Sequence, residues 1–270
     1  MMKRLLMLSM AVTFVLTPSL ALAGAYEDGL AIVNDPLKLA ARLADAKQKF
    51  AEAARSDSKN AHAWYNLGLL HQMSNDVSQA QEAWRSALKA DPKYLPAHAR
   101  LAHLEYERGN KAAGLANLER IIVDNRYQPE ARNLLAAIAI EAADWDAAIK
   151  HSRNVLLGDP QNVNAYANLA IIYYRQDLVD QAWLIATNAL ERVPNAAALH
   201  NILGLIYLKR DDSRQAATSF IKALKANPRQ LDAKLNLAAM ELAYGDFDNA
   251  LKRFDDVLEL RPDDAMVVVS

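Results

Sequence analysis

The side chains that most often carry out chemistry in proteins are few in this sequence, and their spacing does not suit it. The six histidines are never three or four residues apart, so no two of them lie one turn apart on a helix face as a zinc site of that kind requires. There is no cysteine, no G-x-S-x-G element and no glycine-rich phosphate loop. The paired acidic residues stand at predicted turns and helix ends, where they cap helices: Asp211-Asp212, Asp255-Asp256 and Asp263-Asp264. We therefore predict no catalytic residue, no metal site and no cofactor.

The overall charge argues against nucleic acid as a partner. The chain carries 31 Lys and Arg against 32 Asp and Glu, a net charge of −1. Nucleic-acid binding requires a basic face, which this balance does not favour. Hydrophobic residues make up 52% of the chain and there are only 8 glycines, as expected for an all-helical protein. Without cysteine, stability must come from packing and not from disulfides.

The first residues have the pattern of a secretory signal. Lys3 and Arg4 precede an apolar run over 5–16, which Thr17-Pro18 ends before the small-residue motif Ala21-Leu22-Ala23. A short positive region, about a dozen apolar residues and an A-x-A site are typical of a cleaved signal peptide. An uncleaved anchor is the alternative, but a spanning helix needs roughly 20 apolar residues. We predict a signal peptide over 1–23, export to the periplasm, and no integral membrane segment after cleavage.

Two residue types recur with one period along most of the chain. Prolines stand at multiples of 34 residues from one another, and a small residue keeps the same spacing: Pro92, Pro160, Pro194, Pro228 and Pro262; Ala46, Ala80, Gly114, Ala148, Ala182, Ala216 and Ala250. Such a period indicates a repeated supersecondary unit. The recurring small residue has a packing reason, because only Ala or Gly lets the backbones of two closely crossing antiparallel helices approach to about 8 Å.

The unit over 61–94 predicts two helices. Residues of the first helix fall on one side at helical spacing: Trp64, Leu67, Leu70 and His71. Asn75-Asp76 is a turn signal, with Asp76 as N-cap of a second helix that carries Ala80, Trp84, Ala87 and Leu88 on its inner side. Asp91-Pro92 ends that helix, because proline cannot continue the hydrogen-bond ladder.

These residues resemble the tetratricopeptide repeat (TPR). The resemblance rests on Trp64-Tyr65-Asn66-Leu67-Gly68, Ala80, Trp84, Ala87 and Pro92, and again on Leu203-Gly204, Tyr207, Ala216, Phe220, Ala223 and Pro228. It implies an all-α, right-handed TPR solenoid of helix-turn-helix repeats that binds other proteins. The layout with a signal is also similar to TPR components of gliding-motility or pilus assembly machinery.

The repeat phase divides the chain into six full units. We place them at 61–94, 95–128, 129–162, 163–196, 197–230 and 231–264. Residues 24–60 hold a degenerate half-repeat or capping helix, whose first half we expect to be broken by Gly29 and Asn34-Asp35-Pro36. Residues 265–270 begin an incomplete seventh repeat. A solenoid normally closes with a helix whose outer face is polar, and the sequence shows no such helix covering the last full unit. We therefore expect Leu251, Phe254 and Val257 to be more exposed than their equivalents in earlier units.

In the TPR family, the first helix of each unit lines a concave groove that binds partners. The residues in phase with that surface form a largely apolar partner-binding stripe: Tyr65, Leu69, Tyr106, Ile140, Ile171, Tyr174, Arg175, Leu205, Leu208 and Leu242. An exposed apolar strip marks a binding site for another chain, here a helix or an extended peptide. The alternative is that many of these residues are buried between successive first helices.

Two further groups have a structural interpretation. Asn66, Asn168 and Asn236 occupy one slot of the carboxylate clamp that some family members use, but the accompanying lysines are missing, so we expect local hydrogen bonds between helices. His98 and His200 fall in the slot of Trp64, which favours a packing role.

The function predicted from the sequence is that of a periplasmic, non-catalytic scaffold or adaptor in an envelope-spanning, outer-membrane assembly or motility machine of a Gram-negative-type cell. Three alternatives stay open. One is an adaptor for cell-wall enzymes or outer-membrane assembly factors, another is a self-associating structural protein that forms a homo-oligomer through an uncovered C-terminal face, and the third is a non-catalytic fragment of a larger protein.

Overall fold

The computed structural model describes residues 23–260, and all regular secondary structure within them is α-helical. The predicted signal peptide, apart from Ala23, and the start of a seventh repeat at 265–270 lie outside the described residues. The described chain falls into two compact units, residues 23–160 and residues 161–260. The helices of each unit are arranged as successive antiparallel pairs, so the predicted fold class, an all-α arrangement of stacked helix-turn-helix repeats, is confirmed.

The N-terminal unit contains nine of these helices. Three helices precede three regular pairs: α1 (Ala23–Val33), α2 (Pro36–Ala41), α3 (Leu43–Ser56), α4 (Ala61–Met73), α5 (Val77–Ala90), α6 (Leu95–Glu107), α7 (Lys111–Asp124), α8 (Pro129–Glu141) and α9 (Trp145–Gly158). Each regular pair begins at the residue from which the repeat phase was counted.

The C-terminal unit contains three pairs. They are α10 (Val163–Arg175), α11 (Val179–Arg192), α12 (Ala197–Lys209), α13 (Ser213–Ala226), α14 (Leu231–Ala243) and α15 (Phe247–Leu260). The first helix of each pair has 13 residues and the second has 14, as in the N-terminal unit. Equal helix lengths are what allow a fixed sequence period to give a fixed helix-pair geometry.

Two residues after the end of every first helix of the six pairs, one residue adopts the left-handed conformation. That residue is Asn75, Gly109, Ala143, Asp177, Asp211 or Gly245, each one repeat length after the previous one, with φ between 57° and 100°. The next amide then bonds back into the helix, as where the Asp76 N–H donates to the carbonyl oxygen of His71 at 2.9 Å. Ala143 is the costly member, because an alanine side chain disfavours this conformation.

The predicted cap at the start of the second helix is confirmed. The Asp76 carboxylate accepts a hydrogen bond from the Gln79 N–H at 3.1 Å. Asp144 and Asp212 do the same for α9 and α13. These bonds satisfy amides that have no partner inside the helix, so α5, α9 and α13 each have a defined first residue.

The two helices of a pair cross closely where small residues meet a large one. Gly204 of α12 faces Phe220 of α13, and Gly68 of α4 faces Trp84 of α5. A Cβ atom added at either glycine would lie 2.3 Å from the opposing ring. The glycines are therefore required by the bulk of the partner side chain, and both rings are buried.

The prediction for residues 24–60 was partly wrong. The expected break occurs only at Asn34 and Asp35, whereas α1 continues through Gly29. Gly29 is tolerated because it lets the Phe50 ring of α3 pack close to α1, at about 3.0 Å from where a Cβ would stand. Tyr26 adds an edge-to-face contact with Phe50 at 5.5 Å between ring centroids. This segment thus forms a helix pair of its own that packs against α4.

The prediction for the last described pair was correct for two of three residues. Leu251 is 64% exposed, and Phe254 is partly exposed where Trp84 and Phe220 are buried. Val257, by contrast, is fully buried. Val257 follows Ala250 by two helical turns, so it lies on the side of α15 that packs against α14.

Candidate functional site

Four residues of the predicted stripe do not present their side chains at a surface. Tyr65, Leu69, Ile140 and Ile171 are between 0% and 2% exposed, so the expectation that they are available to a partner was wrong. Tyr65 and Leu69 pack in a cluster with Trp84 of α5. Helical periodicity identifies the side of a helix, but it does not tell whether the neighbouring helix covers that side.

The other predicted residues are accessible. Leu242 is 41% exposed, and the remaining five are half-buried: Tyr106, Tyr174, Arg175, Leu205 and Leu208. All but Tyr106 belong to the C-terminal unit. The apolar stripe is therefore interrupted, and its accessible part is concentrated in that unit.

In the C-terminal unit these residues form what we call the first-helix face: Tyr174 of α10, Leu205, Leu208 and Lys209 of α12, and Leu242 of α14. The Lys209 ammonium lies 5.0 Å from the centre of the Tyr174 ring and 2.5 Å from the Asp177 carboxylate. Burial raises the pKa of the Tyr174 hydroxyl, and Lys209 opposes that rise. Leu205 and Leu208 pack beside a buried cluster that includes Phe220. The face thus has an apolar centre with a cation at its edge.

The corresponding side of the N-terminal unit is polar. Arg100 of α6 is buried, and its Nε lies 2.6 Å from a carboxylate oxygen of Glu130 on α8. Its Nη1 donates to the side-chain oxygen of Gln72 on α4 at 3.2 Å. One guanidinium therefore links three successive first helices. Burial raises the pKa of the nearby Tyr65 hydroxyl, which keeps that group neutral.

His103 extends this polar cluster along α6. Its ring stacks with Tyr106 at 6.5 Å between centroids, and its Nδ1 lies 3.7 Å from Glu107. Burial, reinforced by the positive charge of Arg100, lowers the pKa of His103 to about 4. Sequence reasoning did not predict the buried ion pair between Arg100 and Glu130. The alternation of Gln72, Arg100 and Glu130 on three first helices was the signal available for it.

The structural interpretation of the asparagines is confirmed for two of them. Asn236 donates to the Asn201 side chain at 3.0 Å between α14 and α12, and Asn66 donates to the Tyr26 hydroxyl at 3.4 Å between α4 and α1. Both asparagines are buried. These bonds hold adjacent first helices in register.

The histidines in the tryptophan slot also act structurally. The Nε2 atom of His98 donates a hydrogen bond to the carbonyl oxygen of Pro92, six residues earlier, at 2.8 Å. His200 makes the same bond to the carbonyl oxygen of Pro194 at 2.9 Å. Within residues 23–260, no group of three or more His, Asp or Glu side chains has the arrangement of a metal site. Over the same stretch, no helix has the length and hydrophobicity needed to cross a bilayer.

Stacked helix pairs with partly exposed apolar residues on their first helices define a class of protein, the helical-repeat scaffold for protein–protein interaction. The family follows from comparison with known proteins. Sequence profiles of the tetratricopeptide repeat match residues 61–94, 139–206 and 203–265, which together make up more than half of the chain. The protein belongs to the tetratricopeptide-repeat family.

Curated relatives are distant and much longer. The peroxisomal targeting signal receptor of Saccharomyces cerevisiae is 24% identical over 233 residues, which cover 82% of this chain and 37% of the receptor. The Candida albicans receptor of the same name is 23% identical over 253 residues, or 91% of this chain and 42% of the receptor. The chain therefore spans about two fifths of the length of these relatives.

Among solved structures, a thermophilic TPR protein from Thermus thermophilus is 26% identical. That match has a TM-score of 0.56 and covers 65% of this chain and 95% of the other. A tetratricopeptide repeat protein from Parabacteroides merdae has a TM-score of 0.60 at 16% identity and covers 91% and 95%. The second likeness concerns the fold alone.

Proposed function

We propose that the protein is an exported scaffold that binds an amphipathic helix or extended peptide of a partner protein on the first-helix face of the C-terminal unit. The observation that carries the proposal is the 41% exposure of Leu242 on α14, together with the half-buried Leu205 and Leu208 on the preceding first helix, α12. Neighbouring apolar side chains that remain accessible on regular helices favour a docking surface.

The chemistry of the face suits an amphipathic ligand. Leucines on two successive first helices offer contacts to the apolar side of a helix or to alternate side chains of an extended peptide. Lys209 and Arg175 stand at the edge, where charged groups orient a ligand more than they add affinity. The N-terminal unit has a buried Arg100–Glu130 pair on the corresponding side, which makes it a poorer surface for an apolar ligand.

Site-specific photocrosslinking in cells tests this proposal. A photoreactive amino acid at Leu208 or Leu242 is expected to capture the same discrete partner, because both side chains lie on the face. Leu184 of α11 is the matched control, since it is an exposed leucine (51%) on a second helix. The captured partner, once purified, should bind the wild-type protein and lose most of its affinity for a Leu242→Asp variant. Equal adducts from Leu184, or unchanged binding by Leu242→Asp, would refute the proposal.

We also propose that the scaffold works in the periplasm, within an envelope-spanning, outer-membrane assembly or motility machine. The support is the pattern of residues 1–23, with Lys3-Arg4, the apolar run and the A-x-A motif. N-terminal sequencing of the protein recovered from osmotic-shock fluid should begin at Gly24. A Val12→Arg variant, which interrupts the apolar run, should remain unprocessed inside the cell. Export would be contradicted if the protein were found only in the shocked cells, with Met1 still at its N-terminus.

Self-association is the second candidate function, and one observation favours it. Tyr244, Phe247 and Leu251, at the last described helix pair, are 70%, 64% and 64% exposed. Apolar groups of this size on one helix pair suit a contact with a second copy. Light scattering at increasing concentration distinguishes the two functions, because a monomer throughout the range removes this candidate and leaves the first-helix face untouched.

A further inference from the structure

A second surface of the N-terminal unit has the features of a binding site. A cleft of about 420 Å³ lies between α5 and α7 above α6. Arginines from three different segments line it: Arg85 of α5, Arg108 after α6 and Arg120 of α7. Leu101 and Ala102 contribute an apolar part of the lining. Leu101 and Glu105 lie on the side of α6 opposite His103, so most of the cleft lies away from the polar cluster of Arg100 and His103.

The corresponding place in the C-terminal unit is occupied by two aromatic side chains. Three repeat lengths later, in the C-terminal unit, Trp183 and Tyr207 take the positions that Gln81 and Glu105 occupy here. The Trp183 Nε1–H donates to the Tyr207 hydroxyl at 3.3 Å, so the two rings fill the space above α12. The smaller Gln81 and Glu105 leave the equivalent space above α6 open.

The charges of the two places also differ. In the C-terminal unit, Arg210 covers the Trp183 ring at 5.4 Å and pairs with the Asp180 carboxylate at 2.5 Å. Its counterpart here is Arg108, but the counterpart of Asp180 is Ser78. Arg108 instead donates to the neutral side chain of Gln81 at 2.9 Å. The same repeat position therefore carries an arginine that pairs with a carboxylate in the C-terminal unit and an arginine that bonds to a neutral amide in the N-terminal unit.

The remaining cations of the cleft are uncompensated as well. Arg85 and Arg120 are exposed, and neither forms an ion pair with any side chain that the structure describes. Glu105 is the one carboxylate among the lining residues, and it accepts a hydrogen bond from Asn117 at 3.1 Å. The cleft thus concentrates positive charge in a chain whose net charge is −1.

We propose that this cleft binds an acidic segment of a partner protein, with carboxylates on both sides of an apolar residue. Guanidinium groups bind carboxylates through paired hydrogen bonds, and each arginine here has donors to spare. Because the arginines come from three segments around the cavity, a ligand must carry several carboxylates to meet them all. The apolar contribution of Leu101 and Ala102 provides the contact for an aliphatic side chain between those carboxylates. Charge complementarity selects this occupant over a neutral or basic one.

Fluorescence anisotropy with the purified full-length protein tests the assignment. The probe is a fluorescein-labelled synthetic peptide with Asp and Glu on both sides of a central Leu, and a second peptide replaces each Asp by Asn and each Glu by Gln. The acidic peptide should bind, and raising the salt concentration should weaken it. The neutral peptide should bind at least about tenfold more weakly.

Three variants separate the cleft from general charge effects. Arg85→Ala/Arg120→Ala should weaken binding of the acidic peptide by about tenfold or more. Arg153→Ala/Arg192→Ala removes the same charge from exposed positions on α9 and α11, and it should change binding by less than about twofold. Gln81→Trp, which installs the side chain found at the equivalent position of α11, should block the cleft without any change in charge.

Three results would overturn the proposal. One is equal loss of binding in the two double-arginine variants, and another is unchanged binding by Gln81→Trp. The third is displacement of the peptide by micromolar inorganic pyrophosphate, which would reassign the cleft to a small anion. None of these results bears on Leu208 or Leu242, so failure here and failure of the first-helix face are distinguishable.

Discussion

The replacement Gly204→Ala should destabilise the protein, although alanine is a better helix former than glycine. The added Cβ would lie 2.3 Å from Cε1 and 2.5 Å from Cδ1 of Phe220, and that ring is fully buried. The second repeat shows the alternative solution, in which Ala102 occupies the position of Gly204 and Leu118 that of Phe220. The size of the residue on the first helix is thus matched to the size of the residue opposite.

The magnitude follows from two opposing effects. Overpacking a well-packed core costs about 1–3 kcal/mol, and the buried Phe220 ring has no free space to move into, which favours the upper part of that range. The change from glycine to alanine inside a helix recovers about 0.8–1.0 kcal/mol. The expected net loss of the free energy of unfolding for Gly204→Ala is therefore about 1–2 kcal/mol. Phe220→Leu alone should cost about 1–1.5 kcal/mol.

The double variant Gly204→Ala/Phe220→Leu tests whether the sizes of these two residues are matched, because it copies the pair found in the second repeat. It should be more stable than either single variant, with a coupling free energy of about 2 kcal/mol. Urea unfolding followed by circular dichroism at 222 nm measures the stabilities, and hydrogen exchange over 197–226 locates the change. Additive effects of the two replacements, or an increase in stability from Gly204→Ala alone, would refute the argument from size matching.

Three further predictions concern other positions. Gly114→Ala, which restores the residue common at this repeat position, should lower the melting temperature, because its Cβ would stand 2.7 Å from backbone atoms of α6; an increase measured by calorimetry would contradict this. Ala143→Gly should raise the free energy of unfolding in urea by about 1 kcal/mol, since glycine adopts the observed φ of 57° without strain. His103 has a pKa of about 4 in the folded protein against an ordinary pKa of 6.5, so the unfolded chain binds a proton between these pH values that the folded protein does not. Stability should therefore fall as the pH falls from 6.5 to 4, by up to about 3 kcal/mol from this residue. In urea titrations across that range, His103→Gln should lose less stability than the wild type; identical pH profiles would show that His103 is not responsible.

Much of the fold could be predicted from local sequence patterns. Proline and a small residue at a common spacing were enough to place the helix pairs, and Asp76 was recognisable as a cap because an aspartate before an amphipathic stretch has few other uses. The left-handed residue after each first helix was harder to predict. Asn75 was identifiable as a turn, but Ala143 adopts the same conformation against its own preference, because the packing of the pair requires it.

The candidate site was less predictable. Leu208 and Leu242 were identified correctly as accessible, but Tyr65 and Leu69 were not distinguishable from them by helical phase, and only the position of the neighbouring helix shows that they are buried. No sequence motif indicates the arginine cleft, because its lining residues come from three helices and the turns between them.

The sequence by itself determined the repeat length, the helix pairs, the family and the side of each helix that is apolar. These properties depend on residues close in the chain, whose spacing matches the 3.6-residue turn and the 34-residue unit. Only the tertiary structure decided which of the apolar residues remain exposed, how Arg100 is paired, and where Arg85, Arg108 and Arg120 meet. The physical reason is that burial and charge compensation depend on side chains from other repeats, and the repeat period does not determine the size or charge of those side chains.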